Sequence, residues 1–261
     1  MERMRKNRRE SQQYQKEGIG TVENLDYYSG KCTFLNDYIL EINNQKISSK
    51  KIVIAAGSRP LIPPIKGLEE VDYLTNESLL ELTEKPESLI IIGGGYISVE
   101  YAHFFSAMGT DVKIIEQSDR LISNEEPEIS ERLKDELKKR MNVYTNITII
   151  EVQKENEKIK VKGKKDNGEN IWFSSEKILI ATGRVSNADV IKIENTNVNL
   201  DKNGYVKVNE YFETSQKNVW AIGDIINRQM FKHVANEEAF VAANNILHDK
   251  KVSLSYHASP H

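Results

Sequence analysis

Hydrophobic positions along this chain fall into short blocks of two kinds. Leu89–Ile92, Ile178–Ile180 and Val219–Ile222 are unbroken apolar runs, and Val112–Ile115 is one interrupted only by Lys113. Runs of this length, bounded by turn residues, suit strands buried on both faces, as in a parallel sheet. Elsewhere apolar and polar residues alternate: Gly30–Phe34, Tyr38–Ile42 and Lys46-Ile47 in one group, Lys158–Val161 and Ile171–Phe173 in another, with turns such as Asp166-Asn167-Gly168 between pieces. Period-two patterning of that kind predicts antiparallel meanders. A third pattern is helical. The stretch Ala102–Met108 follows a glycine cluster, and Ile129, Leu133 and Leu137 recur every four residues, which predicts a buried stripe. Within Phe231–Leu247, the positions Val234, Ala235, Ala239, Ala242, Ala243 and Ile246 are spaced for a packed helix.

The blocks repeat. Lys51-Ile52-Val53-Ile54-Ala55-Ala56-Gly57-Ser58-Arg59 resembles Lys177-Ile178-Leu179-Ile180-Ala181-Thr182-Gly183-Arg184-Val185, and each copy follows a meander. Two similar halves are expected, and two copies are too few for a solenoid. Pro60–Gly67, rich in proline, reads as the connector into the second half. From Leu61 to Arg184 the pattern parses as one doubly wound α/β unit, with its first strand at Leu89, its second at Val112 and a third near Ile147–Ile150.

Candidate chemistry concentrates where Leu89–Ile92 runs into Gly93, Gly94 and Gly95. Glycines between a strand and a helix let the backbone approach a pyrophosphate, and the helix start offers unpaired N–H groups and the positive dipole end. Ser98 stands at the third glycine of GxGxxG, small enough for close packing of helix on strand. A glycine-rich turn by itself has an ordinary structural reading. Here a second strand ends at Glu116, about 20 residues on, the spacing at which an acid meets the adenosine ribose hydroxyls. A carboxylate there repels a 2′-phosphate by about 1 to 4 kcal/mol for unit charges ~4 Å apart. Gln117, Ser118 and Asp119 supply no basic cluster, although Arg120 turned inward would soften the effect. NAD is therefore expected over NADP. Further on, Gly223-Asp224 follows an apolar run and precedes a helix. An aspartate so placed suits the hydroxyls of a second cofactor or an ordinary turn, and the residues leave both open.

Composition narrows the rest. With 261 residues and a net charge of −3, the chain is expected to form two domains without general attraction to nucleic acid or anionic membrane. No apolar run approaches the ~20 residues of a membrane helix. Arg3, Arg5, Lys6, Arg8 and Arg9 make one dense basic cluster, but acids interrupt it and aromatics do not interleave it, so a solvated helix is expected. Residues Met1–Gly18 lack the apolar region of a secretory signal, which points to the cytoplasm. Cys32 is the single cysteine, so one chain holds no dithiol pair, and its strand-like neighbours suit a half-buried, unreactive side chain. Tyr27 and Lys31 have the spacing of an acid-base pair but precede the glycine turn. His257 and His261 have no third ligand for a metal, and no metal site is expected.

Taken in order, Ala55-Ala56-Gly57-Ser58-Arg59-Pro60, Gly93–Glu100, Glu116, Ala181-Thr182-Gly183-Arg184 and Val219–Asp224 resemble the pyridine nucleotide-disulfide oxidoreductases, the family of dihydrolipoamide dehydrogenase, glutathione reductase and mercuric reductase. The resemblance implies a Rossmann-like NAD-binding domain with a small meander, inserted in a partial FAD-binding domain of the same type. On that reading residues 1–60 are partial FAD domain, 61–184 the NAD domain, 185–250 the remainder of the FAD domain, and 251–261 the start of a dimerisation domain otherwise missing. It implies that Gly93, Gly94, Gly95, Tyr96, Ile97 and Ser98 hold the NAD pyrophosphate and Glu116 the ribose. Gly183 and Ile149 would line the same cofactor, and Tyr96 would gate the nicotinamide pocket. Glu100 resembles the catalytic carboxylate that pairs with a lysine beside the flavin. Ala55, Gly57, Ser58, Asp224 and Met230, Phe231, Lys232 and His233 match stretches that contact FAD.

The chain departs from the family at both ends. It shows no FAD glycine turn or CxxxxC pair before Lys51, and it stops where the dimerisation domain would begin, so the family's homodimer contact is expected to be missing. The expected function is the central segment of an FAD-dependent NAD(H) oxidoreductase, truncated at both ends, that in a complete member passes hydride through flavin to a disulfide or similar acceptor. The alternative is a non-catalytic NAD-binding module. This chain alone is expected to bind NAD, to bind FAD weakly or not at all, and to reduce no disulfide. Apolar faces and edges around Ile52–Ile54 and Val219–Ile222 are expected to lie uncovered and to favour aggregation.

Overall fold

The computed structural model describes residues 1–248 and 250–256. Helix α1 (Glu2–Gly20) leads to a meander of β1 (Cys32–Asn36), β2 (Ile39–Ile42) and β3 (Gln45–Ser48). Then come β4 (Ile52–Ile54), β5 (Ser58–Pro60), β6 (Tyr73–Leu74), β7 (Ser88–Ile92), α2 (Tyr96–Ala107), β8 (Asp111–Ile115), α3 (Pro127–Lys138) and β9 (Asn142–Tyr144). A second meander of β10 (Ile147–Glu155), β11 (Lys158–Lys165) and β12 (Asn170–Ser175) precedes β13 (Lys177–Ile180) and β14 (Arg184–Ser186). Strand β15 (Val219–Ala221) and helix α4 (Lys232–His248) follow. The α/β class expected from the patterning holds, and the chain forms two compact units, residues 1–23 with 60–183 and residues 24–59 with 184–261.

The first unit is built on a five-stranded parallel sheet of order β6-β13-β7-β8-β9. Strand β7 reads as an unbroken apolar run because both its faces are covered. Leu89 and Ile91 pack with Ala102, Phe105 and Leu137 on the helical side, while Ile90 and Ile92 pack with Val152, Ile159, Val161 and Phe173 of the meander. Each such side chain contributes about 1.5–3 kcal/mol relative to an exposed position. Helix α1 buries no side chain, as its composition predicts. An Arg8–Glu81 ion pair ties it to this unit, and Met1 packs on the helical-side core.

Two expectations for this unit are corrected. The third strand of the parallel sheet is Asn142–Tyr144, not Ile147–Ile150. Asn146 takes a left-handed backbone (φ 58°), and the chain leaves the sheet to pair antiparallel with β11, through a bulge between Ile149 and Glu151. Ile150 accordingly faces solvent. The α3 stripe also shifts. At 3.6 residues per turn, steps of four drift by about 40° each, so Ile129 lies some 80° from Leu137 and is exposed. Ser130, seven residues before Leu137, is the buried residue instead.

In the second unit β4 pairs parallel with β15 alone, β5 pairs with β14, and the first meander forms a separate three-stranded sheet. The core gathers Phe34, Ile52, Ile54, Phe212, Trp220, Ile225 and Ala242. Contrary to expectation, Val219–Ile222 is buried. The segment before it covers its free edge, with Thr214 N donating to Val219 O (2.9 Å) and Ala221 N to Phe212 O (3.1 Å). Only Val53 of β4 stands exposed in this strand pair. On α4, Val234 and Ala242 are buried as expected, whereas Ala243 faces solvent and Glu238 is fully buried. Among the described residues no helix is long and apolar enough to cross a membrane.

Candidate functional site

Successive strands step from β7 outward to β8 and β9, and β13 lies on the other side of β7, so the strand order reverses at β7. Ligands of open α/β sheets bind beyond the carboxyl ends of the strands at such a point. The three glycines stand there, each with a different reason for its missing side chain. Gly93 has φ 111°, and a Cβ on it would lie 2.3 Å from Ala181 O, so the packing of β7 beside β13 demands glycine. A Cβ on Gly94 would meet Glu116 Cγ and Oε2 at 2.8 Å. Gly95 is exposed, and a Cβ there would meet nothing within 4 Å. No packing contact within the chain requires this third glycine, and its side is open.

Gly95 is also the N-cap of α2, and no side chain caps the helix. The positive end of the helix dipole therefore points out beside the turn, a ready anion site. Ser98 is fully buried and its hydroxyl has no hydrogen-bond partner, the cost of setting the helix close on the strand. Glu116 continues β8, its N–H donating to Tyr144 O at 2.9 Å. Ser118 N donates to Glu116 Oε1 (2.6 Å), while Oε2 lies against Gly94. Arg120 donates to Ser123 O (3.1 Å) within its own loop. The tertiary structure thus brings together the acid and the glycine turn.

Tyr96, the first residue of α2, donates its hydroxyl to Glu125. Desolvation, and then that carboxylate, pushes the phenol up to about 12. Ile97 is half-buried, and Glu100 is exposed on the same helix. Gly183 is exposed with φ 125° and accepts from Leu61 N at 2.9 Å. Ile149 is a buried core side chain beneath the sheet. Sequence reasoning missed Leu121, Ile122 and Glu125, which pack or bond against the turn from an aperiodic loop that carries no local signal.

In the second unit the repeat ends at a polar cluster. Ser58 Oγ donates to Asp224 Oδ2 (2.7 Å) and accepts from Arg184 Nε (2.6 Å), and Arg184 Nη2 donates to Ser58 O (2.7 Å). Motifs 126 and 166 residues apart in sequence converge there. Gly57 has φ 68° and accepts from Asn187 N (3.1 Å), and Ala55 is exposed at the end of β4. Gly223 N donates to the buried Glu238 Oε2 (2.6 Å), whose other oxygen accepts from Tyr256 (2.8 Å). Nothing in the apolar pattern of α4 marks Glu238. Met230 and Phe231 are half-buried at the entry to α4, Lys232 and His233 are exposed, and the Phe231 and His233 rings stack at 5.7 Å.

Cys32 is partly buried, which pushes its thiol up. Tyr27 and Lys31 are exposed ahead of β1. His257 and His261 lie outside the described residues, among which no group of three His, Cys, Asp or Glu side chains forms a metal cluster.

The sequence model of the pyridine nucleotide-disulphide oxidoreductases matches residues 3–239. The chain is 36% identical over 240 residues to a mercuric reductase of Staphylococcus aureus, covering 91% of this chain and 44% of the relative. It is 35% identical over 213 residues to a mycothione reductase of Mycobacterium tuberculosis, covering 81% and 45%. The fold matches the HOCl-induced flavoprotein disulfide reductase RclA from Escherichia coli with a TM-score of 0.83 and 26% identity, over 90% of this chain and 54% of that one. The chain thus spans about half the length of the proteins it resembles.

Proposed function

Because the chain belongs to the pyridine nucleotide-disulphide oxidoreductase family, we propose that residues 60–183 hold its nicotinamide dinucleotide, NAD(H) in preference to NADP(H). Residues 24–59 and 184–250 would contribute part of its flavin site. The carrying observation is the open side of Gly95 beside an uncapped helix start, with Glu116 lying against the neighbouring Gly94. These residues fit the ligand. The backbone of Gly93–Gly95 and the start of α2 receive the pyrophosphate charge, and Gly183 borders the same site. Glu116 Oε2 accepts from ribose hydroxyls, while Oε1 is engaged by Ser118. A 2′-phosphate beside that carboxylate is repelled.

For the flavin, the fit is partial. Ser58, Asp224 and Arg184 form a preorganised set of donors and acceptors for a polyhydroxylated chain, with Ala55, Gly57 and the Met230–His233 segment around it. Glu100 is the residue we assign to the family's carboxylate. When bound, nicotinamide and flavin supply hydride chemistry, and the protein's part is position and electrostatics. In a complete member of the family the acceptor would be a disulfide, as the words flavoprotein disulfide reductase indicate for RclA, or a metal ion, as mercuric reductase indicates for that relative. The single cysteine, Cys32, favours a narrower role for this chain by itself: nucleotide binding without disulfide turnover.

The test is a titration of the purified chain with NADH and NADPH, read by nicotinamide fluorescence. Gly95→Val is expected to weaken NADH binding at least about 100-fold, roughly 2.7 kcal/mol, while melting stays within a few degrees of wild type. Glu116→Lys is expected to shift preference toward NADPH. Unchanged NADH affinity in Gly95→Val would refute the reading.

A further inference from the structure

The loop after Glu116 passes over the glycine turn and is fastened to it repeatedly. Leu121 is fully buried, with Cδ2 2.9 Å from where a Gly94 Cβ would sit. Ile122 N donates to Gly94 O at 2.8 Å. Glu125 then accepts the hydroxyl of Tyr96, the residue directly after Gly95. Between these points Ile122 has φ 38°, a left-handed backbone that a β-branched residue rarely adopts. It is held there from both sides, its carbonyl accepting from Glu125 N (2.9 Å) and Ser130 Oγ (3.3 Å). Strain maintained by surrounding bonds next to a ligand-binding turn is a sign of preorganisation.

We propose that residues 121–125 form a strap that presets the dinucleotide turn, and that Glu125 is its positioning residue, fixing Tyr96 at the start of α2 and thereby setting nucleotide affinity. The inference rests on the nucleotide site proposed above. Glu125 acts through the tyrosine, whose hydroxyl donates to it. Losing the contact loosens the ring beside the glycine turn, so binding must then supply part of the order that the strap provides in advance.

The full chain is titrated with NADH as wild type, Tyr96→Phe, Glu125→Ala, Glu125→Gln and the Tyr96→Phe/Glu125→Ala double variant. Tyr96→Phe and Glu125→Ala are each expected to weaken binding about 5- to 10-fold, and the double variant no more than the worse single. Glu125→Gln keeps an acceptor oxygen and should stay within about 2-fold. Equal or tighter binding by Glu125→Ala, multiplicative losses in the double variant, or a Gln variant as weak as Ala would each overturn the proposal. With 3-fluorotyrosine incorporated, the ¹⁹F resonance missing from Tyr96→Phe should move in Glu125→Ala, and an unmoved resonance also overturns it. If wild type itself binds no NADH, the nucleotide reading fails, while the ¹⁹F shift still reports whether Glu125 holds Tyr96.

Discussion

Strands β4 and β13 are written almost alike, Lys51-Ile52-Val53-Ile54-Ala55-Ala56-Gly57 and Lys177-Ile178-Leu179-Ile180-Ala181-Thr182-Gly183, yet they end up in different surroundings. Leu179 sits between β6 and β7 and is 0% exposed, whereas Val53, its counterpart, has one parallel neighbour strand and is 45% exposed. The same local code therefore produces a strand in both places without specifying what covers it. In the first unit helices lie on one face and a meander on the other. In the second the outer edge of β4 carries no strand among the described residues. An open parallel edge with an exposed apolar side chain is a pairing liability that β13, with a strand on each side, does not share.

Two turn glycines, Gly93 after β7 in the first unit and Gly57 after β4 in the second, sharpen the contrast most. Gly93→Val drives a side chain into the Ala181 backbone and is expected to unfold the first unit, at a cost of about 4 kcal/mol or more. Gly57→Ala meets no atom within 4 Å and should cost about 1–2 kcal/mol, from its positive φ alone. Urea melts of the two variants measure this, and equal losses would break the comparison. Next in size come the counterpart side chains. Leu179→Ala should cost about 2–5 kcal/mol, and Val53→Ala under about 1 kcal/mol. A Val53 loss as large as that of Leu179 would mean that β4 is covered after all.

The smallest effect is alkaline. Tyr96 in one unit and Tyr256 in the other are both pushed up to about 12, by desolvation before any hydrogen bond. A phenol raised from its ordinary value of about 10 favours the protonated folded state. Its stabilising contribution is complete below about pH 10 and is lost as pH rises through about 12. Stability measured from pH 9 upward should fall less steeply in Tyr96→Phe and in Tyr256→Phe than in wild type. An unchanged slope in one variant would separate the two units again.

Legibility was highest where local geometry carries the signal. The strand, glycine turn and helix at 89–107, the acid at Glu116 and both meanders follow from periodicity and spacing, because side-chain direction repeats every two residues in a strand and every 3.6 in a helix. The two-residue β6 and three-residue β9 are too short to show a period, and Ile147–Ile150 drew the third strand away from its true place. Ile129 lost its predicted burial to helical drift that a four-residue count hides.

By itself the sequence determined the α/β class, the family and the residues that form the glycine turn, since these depend on near neighbours along the chain. The tertiary structure alone decided that Gly94 is occupied from behind by Glu116 while Gly95 is open, that Ser58, Asp224 and Arg184 share hydrogen bonds, and that Glu125 reaches Tyr96. Those relations join residues 22 to 166 positions apart or depend on what packs behind a backbone, and no local pattern encodes a partner at that distance.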